Sequence, residues 1–373
     1  MGEGASSGPA DFGRVSLTLP SAWDRLGTMK TNNRKKTARA VFVSFFLFLA
    51  TLTVFGQQRL VLGGKAVIMV ADAVYLFPEA GRRVIAVAGA DQGLGVFLSA
   101  IDRDFPKKPV IDKSAGPEVY ASLKPDAVIM KSSMRKSVGP ALDALGIKQL
   151  YLNLETPEDY IADILALGDF LGARARAQQV VAYYEKALAD IAGAIGKGGA
   201  GGQQAKPRVL LVQATSPAEG VWEVPPATWM QTRMVELAGG TPVWKGANPG
   251  AGWAKVNAEQ IAAWSPDVVL IVNYRAGAEA SARGFLADAR LSNVPAVRKG
   301  SVYGFAQDFY SWDQPDTRWI LGLQWTARKL YPSLFAGQPI IDEARSFFSV
   351  MYGMDATAFD ATIAPKLSGD LAD

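Results

Sequence analysis

"GPEVYASLKPDAVIM" occupies Gly116–Met130, and "NAEQIAAWSPDVVLIV" occupies Asn257–Val272. Each reads as a glutamate, six further residues, Pro-Asp and an apolar run: Glu118 leads to Pro125-Asp126, and Glu259 to Pro266-Asp267. A residue before proline is biased out of the helical region, so a short helix should end there. The β-branched run after each aspartate predicts a strand buried on both faces, as in a parallel sheet. One helix–strand unit present twice predicts two similar α/β lobes.

Between the copies the sequence is strongly helical. Thr156 is a suitable N-cap, Pro157 fits the first turn, and Glu158 and Asp159 complement the helix dipole. This helix should end near Gly172. A second should run from about Ala173 to Ile195, with Val181, Tyr184, Leu188, Ile191 and Ile195 along one face. At 1.5 Å per residue it reaches roughly 35 Å, the width of a domain. "GKGGAGGQQAKP" (Gly196–Pro207) is a linker by composition, and "RVLLVQA" (Arg208–Ala214) opens the second lobe with a strand.

Composition narrows the chemistry. The 373 residues suit two domains of ordinary size. Residues 1–56 hold seven basic and three acidic side chains, which leaves 32 of each for the remainder. A neutral body has no global field to attract nucleic acid. Cysteine and histidine are both absent, which removes thiolate nucleophiles, disulfides, Cys or His zinc sites, Ser–His triads and a lipid-anchoring cysteine. From Met29 the chain reads as a signal peptide: Lys30 to Arg39 is basic, Ala40 to Gly56 is uncharged, and Val54-Phe55-Gly56 suits cleavage before Gln57. An uncleaved membrane anchor is the other reading of that run. Residues 1–28 read as an over-extended start.

"DFYSWDQPDTRWILGLQWTARKLYP" (Asp308–Pro332) puts three large aromatics just before an apolar helix. Asp313 or Ser311 should cap that helix with Pro315 in its first turn. Trp319, Ile320, Leu323, Ala327 and Leu330 should form its buried stripe. The loop follows the strand "SVYGFA" (Ser301–Ala306), and loops at the carboxyl ends of parallel strands line ligand crevices.

These segments, with "LGIKQLYLNLETPEDYIADILALGDFLG" and "ELAGG" (Glu236–Gly240), resemble in their order the periplasmic substrate-binding proteins of ABC importers for iron–siderophore complexes, haem and cobalamin. The resemblance covers about Lys65 to Phe335. It implies two Rossmann-like lobes with mostly parallel sheets bridged by one long helix: residues 1–56 as leader, 57–172 as the first lobe, 173–197 as the helix and 207–373 as the second lobe. It further implies a soluble periplasmic monomer without a cofactor, not an enzyme, that carries a metal chelate between its lobes to the permease subunits. In that family one glutamate per lobe docks onto the permease, and Glu118 and Glu259 match those positions. Alone, each would read as a helix-start acid favoured by the dipole.

Ligand-binding candidates gather at strand ends. Lys131 and Ser132 follow the strand after Asp126 and suit an anionic ligand, although the same residues read equally as a solvated basic loop. Trp253 stands where cobalamin binders of the family place a ligand-contacting Trp. Trp222 and Trp229 flank the preceding loop, and each Trp reads otherwise as a cap on the core. Gly89, Asp91 and Gln92 follow the strand "RRVIAVA" and should reach the cleft. Tyr310 and Trp312 should share a wall with Trp253, opposite Lys131. Other ligands stay open: haem, with Tyr310 as the iron ligand, or an oxyanion such as molybdate or tungstate on Lys131 and Ser132. A Ser–Lys hydrolase using Ser133 and Lys136 is the reading from another class; its motif is short and lacks companions.

Overall fold

A computed structural model describes residues 58–90, 93, 95–198, 205–216 and 221–372. The expected leader, its cleavage site, Asp91 and Gln92 lie outside the described residues. Strands β1 (Leu60–Leu62), β2 (Val84–Ala88), β3 (Val110–Ile111), β4 (Ala127–Lys131) and β5 (Lys148–Leu152) form a parallel sheet in the order β3-β2-β1-β4-β5. A second sheet holds β6 (Arg208–Ser216), β7 (Val221–Val224), β8 (Thr241–Pro242), β9 (Ala254–Val256), β10 (Val268–Val272) and β11 (Val302–Gly304). Its order is β11-β10-β6-β7-β9 with β8 beside β6; only β7 runs antiparallel to its neighbours. The fold is therefore α/β with mostly parallel sheets. The central strands are apolar on both faces because helices cover both: every residue of β1, β4 and β10 is buried.

The repeated unit has the same local structure twice. The helices Pro117–Ser122 and Ala258–Trp264 end before the prolines, and the pre-proline residues Lys124 (φ 48°) and Ser265 (φ 46°) turn left-handed rather than extended. The aspartate of each Pro-Asp then anchors a neighbouring strand. Arg59 donates its backbone N–H to Asp126 Oδ2 at 2.6 Å, and Arg208 does so to Asp267 Oδ2 at 3.1 Å. Both guanidinium groups cap the end of the preceding helix: Arg59 Nη2 donates to Leu123 O at 3.0 Å, and Arg208 Nη2 to Trp264 O at 2.7 Å. Each clamp satisfies carbonyls that a helix end leaves without intrahelical partners.

The helix Pro157–Leu171 starts as the sequence reads, with Thr156 Oγ1 accepting from Asp159 N at 3.0 Å, and stops at Gly172, whose φ of 70° suits glycine. The helix Arg174–Gly198 follows at once. It buries Val181, Tyr184 and Ile191, while Leu188 and Ile195 stay half-buried. Tyr184 stacks on Trp319 at 5.2 Å and 11°, and donates its hydroxyl to Thr317 O at 2.7 Å.

The helix Trp319–Leu330 differs from expectation at both its start and its surface. Neither Asp313 nor Ser311 caps it. The turn is made three residues later, where Asp316 Oδ1 accepts from Arg318 N at 2.7 Å. Asp313 is drawn elsewhere, by donors described below. The helix is buried all round, from Trp319 to Arg328, instead of along a stripe. Gly322 lets it press against the Trp312 backbone, which a β-carbon would strike. The helix Ile340–Tyr352 returns to the first lobe, and Ala356–Thr362 packs on it through Phe348 and Phe359, 5.9 Å apart. Phe97 of that lobe packs against Phe348 at 5.6 Å and Tyr352 at 4.9 Å, and is wholly buried there. Residues 57–373 accordingly form a single compact unit.

Candidate ligand-binding site

The carboxyl end of β2 and Val110 of β3 border a cavity of about 440 Å³. Its walls are mostly apolar, from the helix Val67–Tyr75, β2, Gly93, Gly95, Val96 and Leu98, and Tyr310 closes it from the second lobe. Gly93, with φ of 97°, has no β-carbon to collide with that tyrosine ring. Gly89 and Tyr310, both expected at a cleft, thus meet at one cavity.

Behind Tyr310 lies a buried charge cluster. Arg318 Nη1 donates to Asp72 Oδ2 at 2.6 Å, and Arg318 Nε to Asp308 Oδ1 at 2.8 Å; Asp316 Oδ2 is 3.5 Å from Nη1. All four residues are buried, and the guanidinium also lies 4.3 Å over the Phe97 ring. Burial pushes the Asp72 carboxyl up to about 6 and the Asp316 carboxyl up to about 8, against the pull of Arg318. Asp72 comes from the first lobe and the other three from the segment before Trp319. The sequence reading missed this cluster. Its signal was an acid inside the apolar run "VIMVADAVY", which could be buried only with a partner.

A second feature lies on the other sheet. Trp253 meets Trp229 at 6.0 Å and Tyr274 at 6.1 Å, both nearly edge to face, and all three rings are half-buried. Tyr274 donates its hydroxyl to Asp313 Oδ2 at 2.6 Å; Gln231 Nε2 donates to the same oxygen at 3.1 Å, and Ser311 Oγ to Oδ1 at 2.5 Å. These donors explain why Asp313 does not cap the helix. Arg233, one helical turn after Trp229, pairs with Glu158 of the first lobe at 3.0 Å.

Several expected contacts are not made. Lys131 is buried and already paired, with Glu155 Oε1 at 2.7 Å and with Asn153 O. Ser132 Oγ is turned to Asn153 Oδ1 at 3.0 Å. Neither therefore offers the free anion-binding group expected of it. Trp312 is wholly buried and donates its indole N–H to Asp308 Oδ2 at 3.0 Å. Trp222 is buried against Phe285 at 5.0 Å. Both are core residues here, so the single wall of Tyr310, Trp312 and Trp253 facing Lys131 does not form. Large aromatics at a loop serve burial as readily as binding, and sequence cannot tell the two apart. Glu118 and Glu259 are exposed, each at the second position of its short helix. Ser133 and Lys136 are exposed as well.

Among the described residues, no helix is long and apolar enough to cross a membrane. No curated protein sequence matches the chain. Solved structures do. A periplasmic solute-binding protein from Veillonella parvula superposes with a TM-score of 0.65 at 20% identity, over 82% of this chain and 92% of its own. A periplasmic heme-binding protein from Pseudomonas aeruginosa gives 0.55 at 22% identity, over 74% and 93%. Helicobacter pylori CeuE, solved as a Ni-His complex, gives 0.61 at 15% identity, over 82% and 93%. These are solute-binding proteins rather than enzymes. The family model described as periplasmic binding protein matches residues 62–308, about two thirds of the sequence. The chain belongs to the periplasmic binding protein family, the solute-binding components of ABC importers.

Proposed function

We propose that the protein is the receptor for a metal chelate of the ferric-siderophore or cobalamin type, which it hands to the permease of an ABC importer. The carrying observation is the half-buried trio of Trp229, Trp253 and Tyr274, whose neighbouring Arg233 pairs with Glu158 of the first lobe. Aromatic faces held in place by neighbours suit a large, partly apolar ligand. A bare transition-metal ion is a poor candidate, since the chain has neither histidine nor cysteine. The oxyanion reading loses its basis, because Lys131 is neutralised by Glu155.

Trp253→Ala should weaken binding of the transported chelate by about 1–3 kcal/mol, tenfold or more. Fluorescence titration with a panel of ferric siderophores and cobalamin measures it; a tight ligand whose affinity ignores both Trp253 and Trp229 would count against the site. The exposed, equivalently placed Glu118 and Glu259 support docking to the permease, one charge from each lobe. The double Glu118→Ala, Glu259→Ala variant should keep its ligand affinity and lose uptake more severely than either single variant. Uptake at the normal rate by the double variant would end the docking assignment. We also propose export with cleavage after Gly56, which N-terminal sequencing of the periplasmic protein checks; an intact leader would refute it.

A further inference from the structure

We infer that the cavity between β2, β3 and Tyr310 is a subsite for an apolar arm that ends in a cationic group, received by Asp72. The inference deepens the proposed receptor function and rests on it for the identity of the whole ligand, though not for the chemistry of the subsite.

Four observations converge. Three buried aspartates, Asp72, Asp308 and Asp316, share the one guanidinium of Arg318, so the cluster holds no surplus of positive charge. Asp72 is the one member of the cluster that lines the cavity, and the one charged group among the cavity's described lining residues. Its Oδ2 is held by Arg318, while its Oδ1 has no hydrogen-bond partner and is buried. A buried carboxylate oxygen without a donor is costly, and a ligand ammonium would supply both the donor and a positive charge. The rest of the lining is apolar, and the apolarity continues to the mouth: Val96 and Val110, both lining residues, are 51% and 75% exposed. Such a rim recommends a hydrocarbon arm over a polar one. Arg318, by contrast, has Asp308 and Asp72 on two of its nitrogens and does not line the cavity, so an anionic head would meet only the carboxylate.

The test uses three small probes of one shape, n-hexylamine, 1-hexanol and hexanoate, titrated into the purified protein at pH 7.5 and followed by NMR or calorimetry. The amine should bind about tenfold or more tightly than the alcohol, and hexanoate more weakly than either. Asp72→Asn should erase the advantage of the amine. Because that change disturbs the Arg318 pair and can impair folding, Val110→Arg provides a second arm. It sits at an exposed position, leaves the cluster intact, and should reduce the amine's advantage by placing a cation at the mouth. Equal affinities for the three probes, no binding of any at millimolar concentration, or an amine preference unchanged in Val110→Arg or in folded Asp72→Asn would overturn the inference. Any of these results, with chelate uptake intact, would leave the receptor function standing.

Discussion

Arg318→Met should destabilise the protein by about 3–5 kcal/mol, as expected when one partner of a buried ionic cluster is removed. The methionine fills much of the same volume, so the loss is electrostatic rather than a cavity effect. Asp308 would lose both hydrogen bonds from Nε, at 2.8 and 2.9 Å, and Asp72 its bond at 2.6 Å. The cation over Phe97 would go as well. Urea unfolding near pH 8 measures the change. Adding Asp72→Asn and Asp308→Asn to the variant should recover a large part of the stability, because the unpaired charges are what destabilise it. A loss below about 1 kcal/mol, the size of a surface pair, would show that the cluster is open to water and not the closed junction described here.

The same cluster should make stability fall as pH rises. Asp72 and Asp316 titrate at about 6 and about 8 in the folded protein, above the unfolded aspartate value near 3.9. The folded state therefore binds more protons than the unfolded chain between those limits. A group shifted upward contributes stability that is fully present below its unfolded pKa and lost as pH passes through its folded pKa. The window runs from about pH 4 to about pH 8, with the upper half belonging to Asp316 and a total on the order of a few kcal/mol. The groups that face these carboxyls are Arg318 and Asp308, together with the Tyr310 and Tyr352 rings, whose hydroxyls burial holds protonated throughout the window. Asp316→Asn should flatten the upper half and make the lower half less steep, leaving there only the contribution of Asp72. Thermal unfolding at half-unit pH steps tests this; a wild-type profile that rises between pH 6 and 8 while the variant behaves identically would refute the assignment.

How far the sequence reveals this protein depends on whether a feature is local. The helix from Pro157 to Leu171 is written in its own residues, through Thr156, Pro157 and Gly172, and the Pro-Asp strands are written in theirs. The clamps of Arg59 and Arg208 were legible in principle, since both precede apolar strands of similar composition, but they join residues more than fifty positions apart. The cluster and the cavity were not read, because Asp72 finds Arg318 across 246 positions, and neither residue says alone which partner it has. Lys131 shows the same limit from the other side. A lysine at a strand end looks available until Glu155 of the next loop is brought to it. The aromatics before Trp319 divided in a way their spacing could not foretell: Tyr310 reached the cavity, and Trp312 went to the core.

The helix Ile340–Tyr352 sets an order on the making of the molecule. Phe97, early in the chain, packs against Phe348 and Tyr352, and Arg318 stands over its ring. The backbone carbonyls of Val350 and Met351 accept from Arg176, and the Tyr352 hydroxyl donates to the carbonyl of Asp72. During synthesis or threading, which proceed from the N-terminus, the first sheet can assemble early, but Phe97 and Asp72 meet Phe348 and Tyr352 only once the helix Ile340–Tyr352 arrives. Until then the Phe97 ring lacks those two neighbours, so the first half of the molecule is finished by a helix that follows the whole of the second sheet in sequence.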